Sequence, residues 1–128
     1  QHYFFSVSKI STDRAIIYRE NTRFQLIAQN GNTSTNTRND PNYLSNTYRK
    51  NGASYSPTNR GEVFTSFNSQ HLLTINGSLD NGVSSFVLGY GASNFANYSM
   101  QEFIVYEGDL SNIQIGLEKE INNYYSIF

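Results

Sequence analysis

Short segments in which apolar and polar residues alternate recur along most of this 128-residue chain. In the first segment, Tyr3, Phe5 and Val7 alternate with the residues between them. A period of two residues, rich in aromatic and β-branched side chains, is typical of half-buried β-strands. The further segments with this character are 14–18, 23–29, 62–68, 71–77, 84–91 and 100–108. The pattern predicts an all-β domain that spans residues 1–128.

Turn signals and one helical pattern complete this prediction. Asn30-Gly31 and Asn76-Gly77 are typical of β-hairpin turns. Residues 32–61 hold both prolines and few aliphatic residues, which predicts a long functional loop with one or two short strands. Near the C-terminus, Ser111 and Gln114 fit a helical capping box.

An apolar stripe follows this capping box. Ile113, Leu117, Ile121 and Tyr124 recur at intervals of three or four residues, which predicts one short helix packed on the sheet. We therefore expect an antiparallel β-sandwich of two sheets with one short C-terminal helix.

The composition excludes several functional classes. Nine Lys and Arg residues against ten Asp and Glu residues give a net charge of -1, so no excess of positive charge attracts nucleic acid or anionic lipid. No apolar run approaches the roughly 20 residues that span a bilayer. The absence of cysteine excludes disulfides, zinc–thiolate sites and thiol catalysis.

The first residue is Gln1 and no signal peptide precedes it, so we expect a piece of a larger protein.

Catalytic patterns are weak. Glycoside hydrolysis needs two facing carboxylates, and Glu102 is followed at +2 and +4 by Ile104 and Tyr106. His71 opens a predicted strand, and we expect it at the surface or at a strand edge. We therefore predict that the protein is not an enzyme and has no catalytic residues.

The C-terminal third, MQEFIVYEGDLSNIQIGLEKEINNYYSI, resembles the closing motif of laminin-G-like, concanavalin A-like jelly-roll domains. In that group a strand with the pattern Glu, two aliphatic residues and Tyr leads through Leu-Ser into a small terminal helix. The segments LLTINGS, FVLGYG and FFSVSKI resemble further strands of the group. The group carries one more strand before FFSVSKI, so the resemblance predicts an unpaired or borrowed edge near residues 3–9.

The resemblance implies an antiparallel two-sheet jelly-roll fold and a module that binds glycans or serves in adhesion, in extracellular or virion proteins. Most members of the group are non-catalytic, and some relatives are glycoside hydrolases. Many members of the group bind a calcium ion near the rim. Candidate ligands in this chain are Asp13, Asp40, Asp80 and Asn81 in predicted turns, although Asp80-Asn81-Gly82 is equally well explained as a β-turn. No other cofactor is expected.

Side-chain chemistry independently suggests where a ligand would bind. Sugars present C–H faces that stack on aromatic rings, and hydroxyls that bond to planar amides and charged groups. The candidate binding residues all lie in the long irregular region; they are Tyr43, Tyr48, Arg49, Asn51, Tyr55, Asn59 and Arg60. Residues 92–98 are a second candidate loop. The same residue types favour protein interfaces, so a glycan and a protein partner both remain open.

Two functions are therefore carried forward, and a glycoside hydrolase is a third alternative that the missing acid/base pair disfavours. The first is a carbohydrate-binding recognition or adhesion module within a larger extracellular or virion-associated protein. The second is a structural phage virion module, for capsid decoration or a tail fibre, that contacts neighbouring subunits or copies of itself as a homo-oligomer. Neither involves nucleic acid or membrane insertion.

Overall fold

The computed structural model describes residues 2–10, 14–20, 24–29, 47–59, 62, 69–77, 86–88, 90–91, 94–95 and 98–128. Ten strands are described: β1 (His2–Ile10), β2 (Arg14–Glu20), β3 (Phe24–Gln29), β4 (Thr47–Lys50), β5 (Ala53–Tyr55), β6 (His71–Gly77), β7 (Phe86–Leu88), β8 (Tyr90–Gly91), β9 (Asn94–Phe95) and β10 (Tyr98–Glu107). One helix follows them, α1 (Gln114–Tyr125). The described chain is therefore mostly β with a single short helix, as the alternating pattern predicts.

The largest sheet has five strands in the order β10-β1-β6-β4-β5, and each neighbouring pair is antiparallel. A three-stranded sheet has the order β3-β2-β7, and β8 pairs with β9. Of the strand predicted over 62–68, only Glu62 lies among the described residues.

One face of the five-stranded sheet packs against α1. Tyr3, Phe5, Val7 and Leu72 lie on this face and are at most 1% exposed. The side chains that pack against them come from β10, the turn before the helix, the helix and the tail: Ile104, Leu110, Leu117, Ile121, Tyr125 and Ile127. Burying these large apolar side chains supplies the main stabilisation of this face.

The opposite face of the central strands is buried as well. Phe4, Leu73 and Ile75 are no more than 2% exposed there. In the antiparallel ladder Phe4 lies opposite Ile75, and Ser6 lies opposite Leu73. The middle of the sheet is therefore covered on both faces.

The expected unpaired edge near residues 3–9 is wrong. Strand β1 pairs with β10 on one side and with β6 on the other. Every side chain from Tyr3 to Ser8 is at most 3% exposed, so β1 is suited to the centre of the sheet and not to its edge. In this five-stranded sheet, β10 and β5 are the outer strands among those described.

The expected capping box at the helix start is also wrong. The N-cap residue is Ile113, which makes no side-chain capping bond. The backbone N–H of Ser111 instead donates to Asp109 Oδ1 at 2.9 Å, which closes a turn before the helix. The apolar stripe is confirmed at Leu117 and Ile121.

The ends of the predicted stripe differ from the structure. Ile113 is 54% exposed and Tyr124 is 81% exposed, whereas Tyr125 packs on the sheet. Ser126 is the C-cap residue of the helix, and its left-handed conformation lets its N–H donate to the carbonyl of Asn122.

No helix in the described ranges is long and apolar enough to cross a membrane.

Candidate functional site

The strands β4 and β5 form a tight hairpin at one edge of the main sheet. Asn51 and Gly52 connect them, with φ values of 50° and 73°. Two successive positive φ angles are typical of a type I′ turn, for which Asn-Gly is the favoured sequence. The one or two short strands predicted within residues 32–61 are confirmed by β4 and β5, and Asn51-Gly52 is the hairpin signal that joins them.

Two of the predicted binding residues face each other across this hairpin. Tyr48 of β4 lies directly opposite Tyr55 of β5. Lys50 shares their face, and its Nζ lies 5.4 Å from the centroid of the Tyr55 ring, which is a cation–π distance. All three side chains are partly exposed. We name Tyr48, Lys50 and Tyr55 the tyrosine patch.

The phenol groups of the tyrosine patch differ in their bonding. The Tyr55 hydroxyl donates to the backbone carbonyl of Glu62. Burial, and secondarily the nearby Glu62 carboxylate, raises the pKa of Tyr55 to about 12, so this phenol stays protonated at neutral pH. The Tyr48 hydroxyl is buried and has no hydrogen-bond partner within the described ranges.

Burial also disfavours the charged forms of two basic groups on this face. It lowers the pKa of Lys50. It lowers the pKa of His71 to about 4, with a smaller effect in the same direction from Lys50. His71 is therefore neutral at pH 7, and its Nδ1–H donates to the Ser69 carbonyl at 3.1 Å.

The expected surface or edge position of His71 is wrong. Its side chain is 0% exposed at the start of β6, although the residue does open a strand. The neighbouring Leu72 and Leu73 are buried on opposite faces, so this end of β6 lies inside the sheet, where an imidazole can remain if it is uncharged.

Arg49, another predicted binding residue, points to the helix face. Its Nε lies 2.9 Å from both Glu118 carboxylate oxygens, and its Nη2 donates to the carbonyl of Gly52. Glu118 is 1% exposed and also accepts a bond from the Gln114 side chain at 3.2 Å. A buried carboxylate needs such a partner, so this ion pair links α1 to the hairpin.

Asn51 and Asn59 make local structural bonds. The Asn51 side chain accepts from the Leu72 N–H, and its backbone N–H donates to the Leu72 carbonyl, both at 2.9 Å, which extends the pairing of β4 and β6. Asn59 Oδ1 accepts from the Glu62 N–H at 2.9 Å. Tyr43 and Arg60 lie outside the described residues, as does most of the candidate loop 92–98.

A groove of about 200 Å³ lies on the helix side of the hairpin. Its walls include Ile115 and Lys119 of the helix and the C-terminal Phe128. A Cβ added at Gly52 would lie 2.9 Å from Cε2 of the Phe128 ring, so the ring packs closely on this glycine. The groove is separated from the tyrosine patch by the sheet itself.

The predicted calcium ligands are not described by the structure. Asp13, Asp40, Asp80 and Asn81 all lie outside the described residues. Within the described ranges, no three His, Cys, Asp or Glu side chains cluster in a way that would hold a metal ion.

Comparisons with known proteins found no match for this chain. No family model matches the sequence, no characterised protein matches it, and no solved structure matches it. The resemblance to laminin-G-like domains therefore stays a prediction.

Proposed function

We propose that this protein is a non-catalytic recognition or adhesion module that binds carbohydrate through the tyrosine patch. The observation that carries the proposal is the cross-strand pair of Tyr48 and Tyr55 with the Lys50 ammonium beside it. The resemblance of the closing motif adds the setting: a larger extracellular or virion-associated protein.

The chemistry of the patch suits a sugar ring. An aromatic side chain offers an apolar face to sugar C–H groups, and the side chains of Tyr48 and Tyr55 are both partly exposed. An ammonium group has three N–H donors and a positive charge, so Lys50 favours hydroxyl or carboxylate oxygens of a glycan. The short hairpin and its Asn51-mediated pairing to β6 hold these groups in place before the ligand arrives.

We also propose that the two larger sheets form a jelly-roll sandwich. Support comes from the face opposite α1, where Phe4, Leu73 and Ile75 are buried to 2% or less. A sheet that is covered by a helix on one face needs a second layer on the other to bury side chains this completely. The antiparallel sheet β3-β2-β7 would supply that layer over β1 and β6, beside the partly exposed tyrosine patch on β4 and β5.

A glycan array of neutral and acidic oligosaccharides, probed with and without calcium, tests the function. We expect binding to at least one class of glycan, and we expect Tyr48→Ala or Tyr55→Ala to weaken it at least tenfold, because a stacked aromatic ring is a typical hot spot. Tyr124→Ala is the matched control, since Tyr124 is 81% exposed on the helix and far from the patch. That variant should bind as the parent protein does.

Two results would contradict the proposal. One is the absence of glycan binding both with and without calcium. The other is unchanged glycan binding by the Tyr48→Ala and Tyr55→Ala variants, provided that their melting temperatures match that of the Tyr124→Ala control and so show that they are folded.

The structural virion module remains the alternative function. The observation that favours it is the outer position of β10, a long strand with exposed apolar side chains at the opposite edge from the patch.

A further inference from the structure

Strand β10 forms an outer edge of the five-stranded sheet. It is ten residues long and pairs with β1. Among the described strands, none pairs with its other side. Val105 is 43% exposed and Tyr106 is 40% exposed, and these neighbours point to opposite faces. An outer strand of this kind presents backbone N–H and C=O groups that can pair with another strand.

The sequence of β10 is only partly protected against edge pairing. It contains no proline, lysine or arginine, which commonly block pairing at sheet edges, and its charged residues are Glu102 and Glu107. Its pairing with β1 is irregular at one point, because Val7 lies opposite Glu102 and Ser8 lies opposite Met100. Gln101 is thus an extra residue that bulges the first half of the strand. The second half, from Glu102 to Glu107, pairs in unbroken register.

We propose that β10 pairs with β10 of a second copy of this chain, antiparallel and with the two-fold axis at Ile104. In a two-fold antiparallel pair, one residue lies opposite itself and the flanking residues match in reverse order. The Ile104 register places Phe103 opposite Val105 and Glu102 opposite Tyr106. Apolar residues then meet apolar ones, and no two like charges lie directly opposite each other.

Neighbouring registers fit less well. An axis at Val105 places the Glu107 carboxylate opposite the Phe103 ring. An axis at Phe103 requires the bulged Gln101 to enter the ladder. The Ile104 register stays within the regular half of the strand, from Glu102 to Tyr106, places neither glutamate opposite Phe103, and covers the exposed side chain of Val105 on both copies. This self-complementarity is why a second copy is the occupant, and why the assembly closes as a dimer.

Opposite charges introduced at one position test both the interface and its register. Tyr106→Glu places a carboxylate opposite Glu102 of the other copy at two symmetric points, whereas Tyr106→Lys places an ammonium there. Both changes remove the same edge-to-face contact with Phe5, whose ring centroid lies 6.0 Å from that of Tyr106. Any general damage to the fold is therefore matched between the two variants.

Sedimentation velocity over a range of protein concentrations supplies the measurement. We expect the parent chain and Tyr106→Lys to dimerise as concentration rises, and Tyr106→Glu to dissociate at least tenfold more readily than Tyr106→Lys. A parent chain that stays monomeric up to millimolar concentration overturns the proposal. Equal association of the two variants overturns the Ile104 register.

Cross-linking gives a second readout, because the chain contains no cysteine. Ile104→Cys places two thiols across the axis within the reach of a disulfide, and mild oxidation should give a covalent dimer. Tyr106→Cys is the control: four residues along the strand separate its two copies by about 13 Å, too far to bridge. Equal cross-linking of both variants would contradict the proposed pairing.

Discussion

Tyr48 and Arg49 are adjacent in the chain, yet they serve opposite faces of the sheet. Tyr48 belongs to the tyrosine patch, and Arg49 bonds to the buried carboxylate of Glu118 on the helix. The sequence predicted both as binding residues because Tyr and Arg are favoured at interfaces. It could not separate them, since the partner of Arg49 lies 69 residues away.

His71 predicts a dependence of stability on pH. Its pKa is about 4 in the folded protein, whereas an ordinary histidine has a pKa of 6.5, so the unfolded chain binds the proton at higher pH. The stabilisation is complete above pH 6.5 and is lost as the pH falls from 6.5 towards 4. The difference of about 2.5 pKa units corresponds to about 3 kcal/mol in the free energy of unfolding.

Urea unfolding at several pH values, with His71→Gln as the comparison, measures this effect. The glutamine cannot titrate, so the parent chain should lose more stability than the variant between pH 6.5 and pH 4. If the free energies of unfolding of the parent chain and of His71→Gln fall in parallel across that range, the buried neutral histidine does not cause the dependence of stability on pH.

At the scale of elements, the helix and its tail show what periodicity can and cannot predict. The spacing of Leu117 and Ile121 locates the apolar face, because residues four apart lie on one side of a helix. The bond between Ser111 and Asp109 replaces the predicted capping box, because two turn geometries compete for the same short polar residues.

The hairpin of β4 and β5 shows a different limit. Its strands are only four and three residues long, so alternation is too short to read in a region rich in polar residues. Burial of one edge against β6 stabilises the hairpin, and local sequence carries only the Asn51-Gly52 turn signal.

Asn122 fastens the tail to the helix and gives an element-scale prediction. Its Nδ2 donates to the Phe128 carbonyl at 2.7 Å, and its Oδ1 accepts from the N–H groups of Ile127 and Phe128 at 2.9 and 2.8 Å. Asn122→Ala should lower the free energy of unfolding by about 1–2 kcal/mol relative to Asn123→Ala in urea titrations.

Asn123 is exposed and lies on the same helix as Asn122. The control Asn123→Ala therefore gains the same helix propensity without breaking the tail contact. Equal stability of the two variants would show that the Asn122 side chain does not hold the tail.

At the scale of the whole molecule, the alternating pattern correctly predicts a mostly β chain with one terminal helix. It does not predict strand order, because pairing joins distant segments such as β1 and β10. The error at residues 3–9 has this origin: a resemblance with one strand missing indicated an edge, whereas β10 and β6 flank β1 on both sides.

The proposed sandwich makes a prediction that nuclear magnetic resonance can check. Aromatic protons of Phe4 and methyl protons of Leu73 and Ile75 should show nuclear Overhauser contacts to side chains of β2, β3 or β7, because stacked sheets lie about 10 Å apart and interdigitate. Contacts from these three residues only to segments outside those strands would rule out the two-sheet packing.

The strand order also determines how far apart the two tyrosine patches would lie in the proposed dimer. The patch-bearing hairpin and β10 lie at opposite edges of the sheet, so joining two sheets through β10 would give ten strands in a row. At a spacing of about 4.8 Å, the two hairpins would stand about 40 Å apart. Such a bivalent arrangement would hold a branched or clustered glycan by avidity, since release of one arm leaves the other bound.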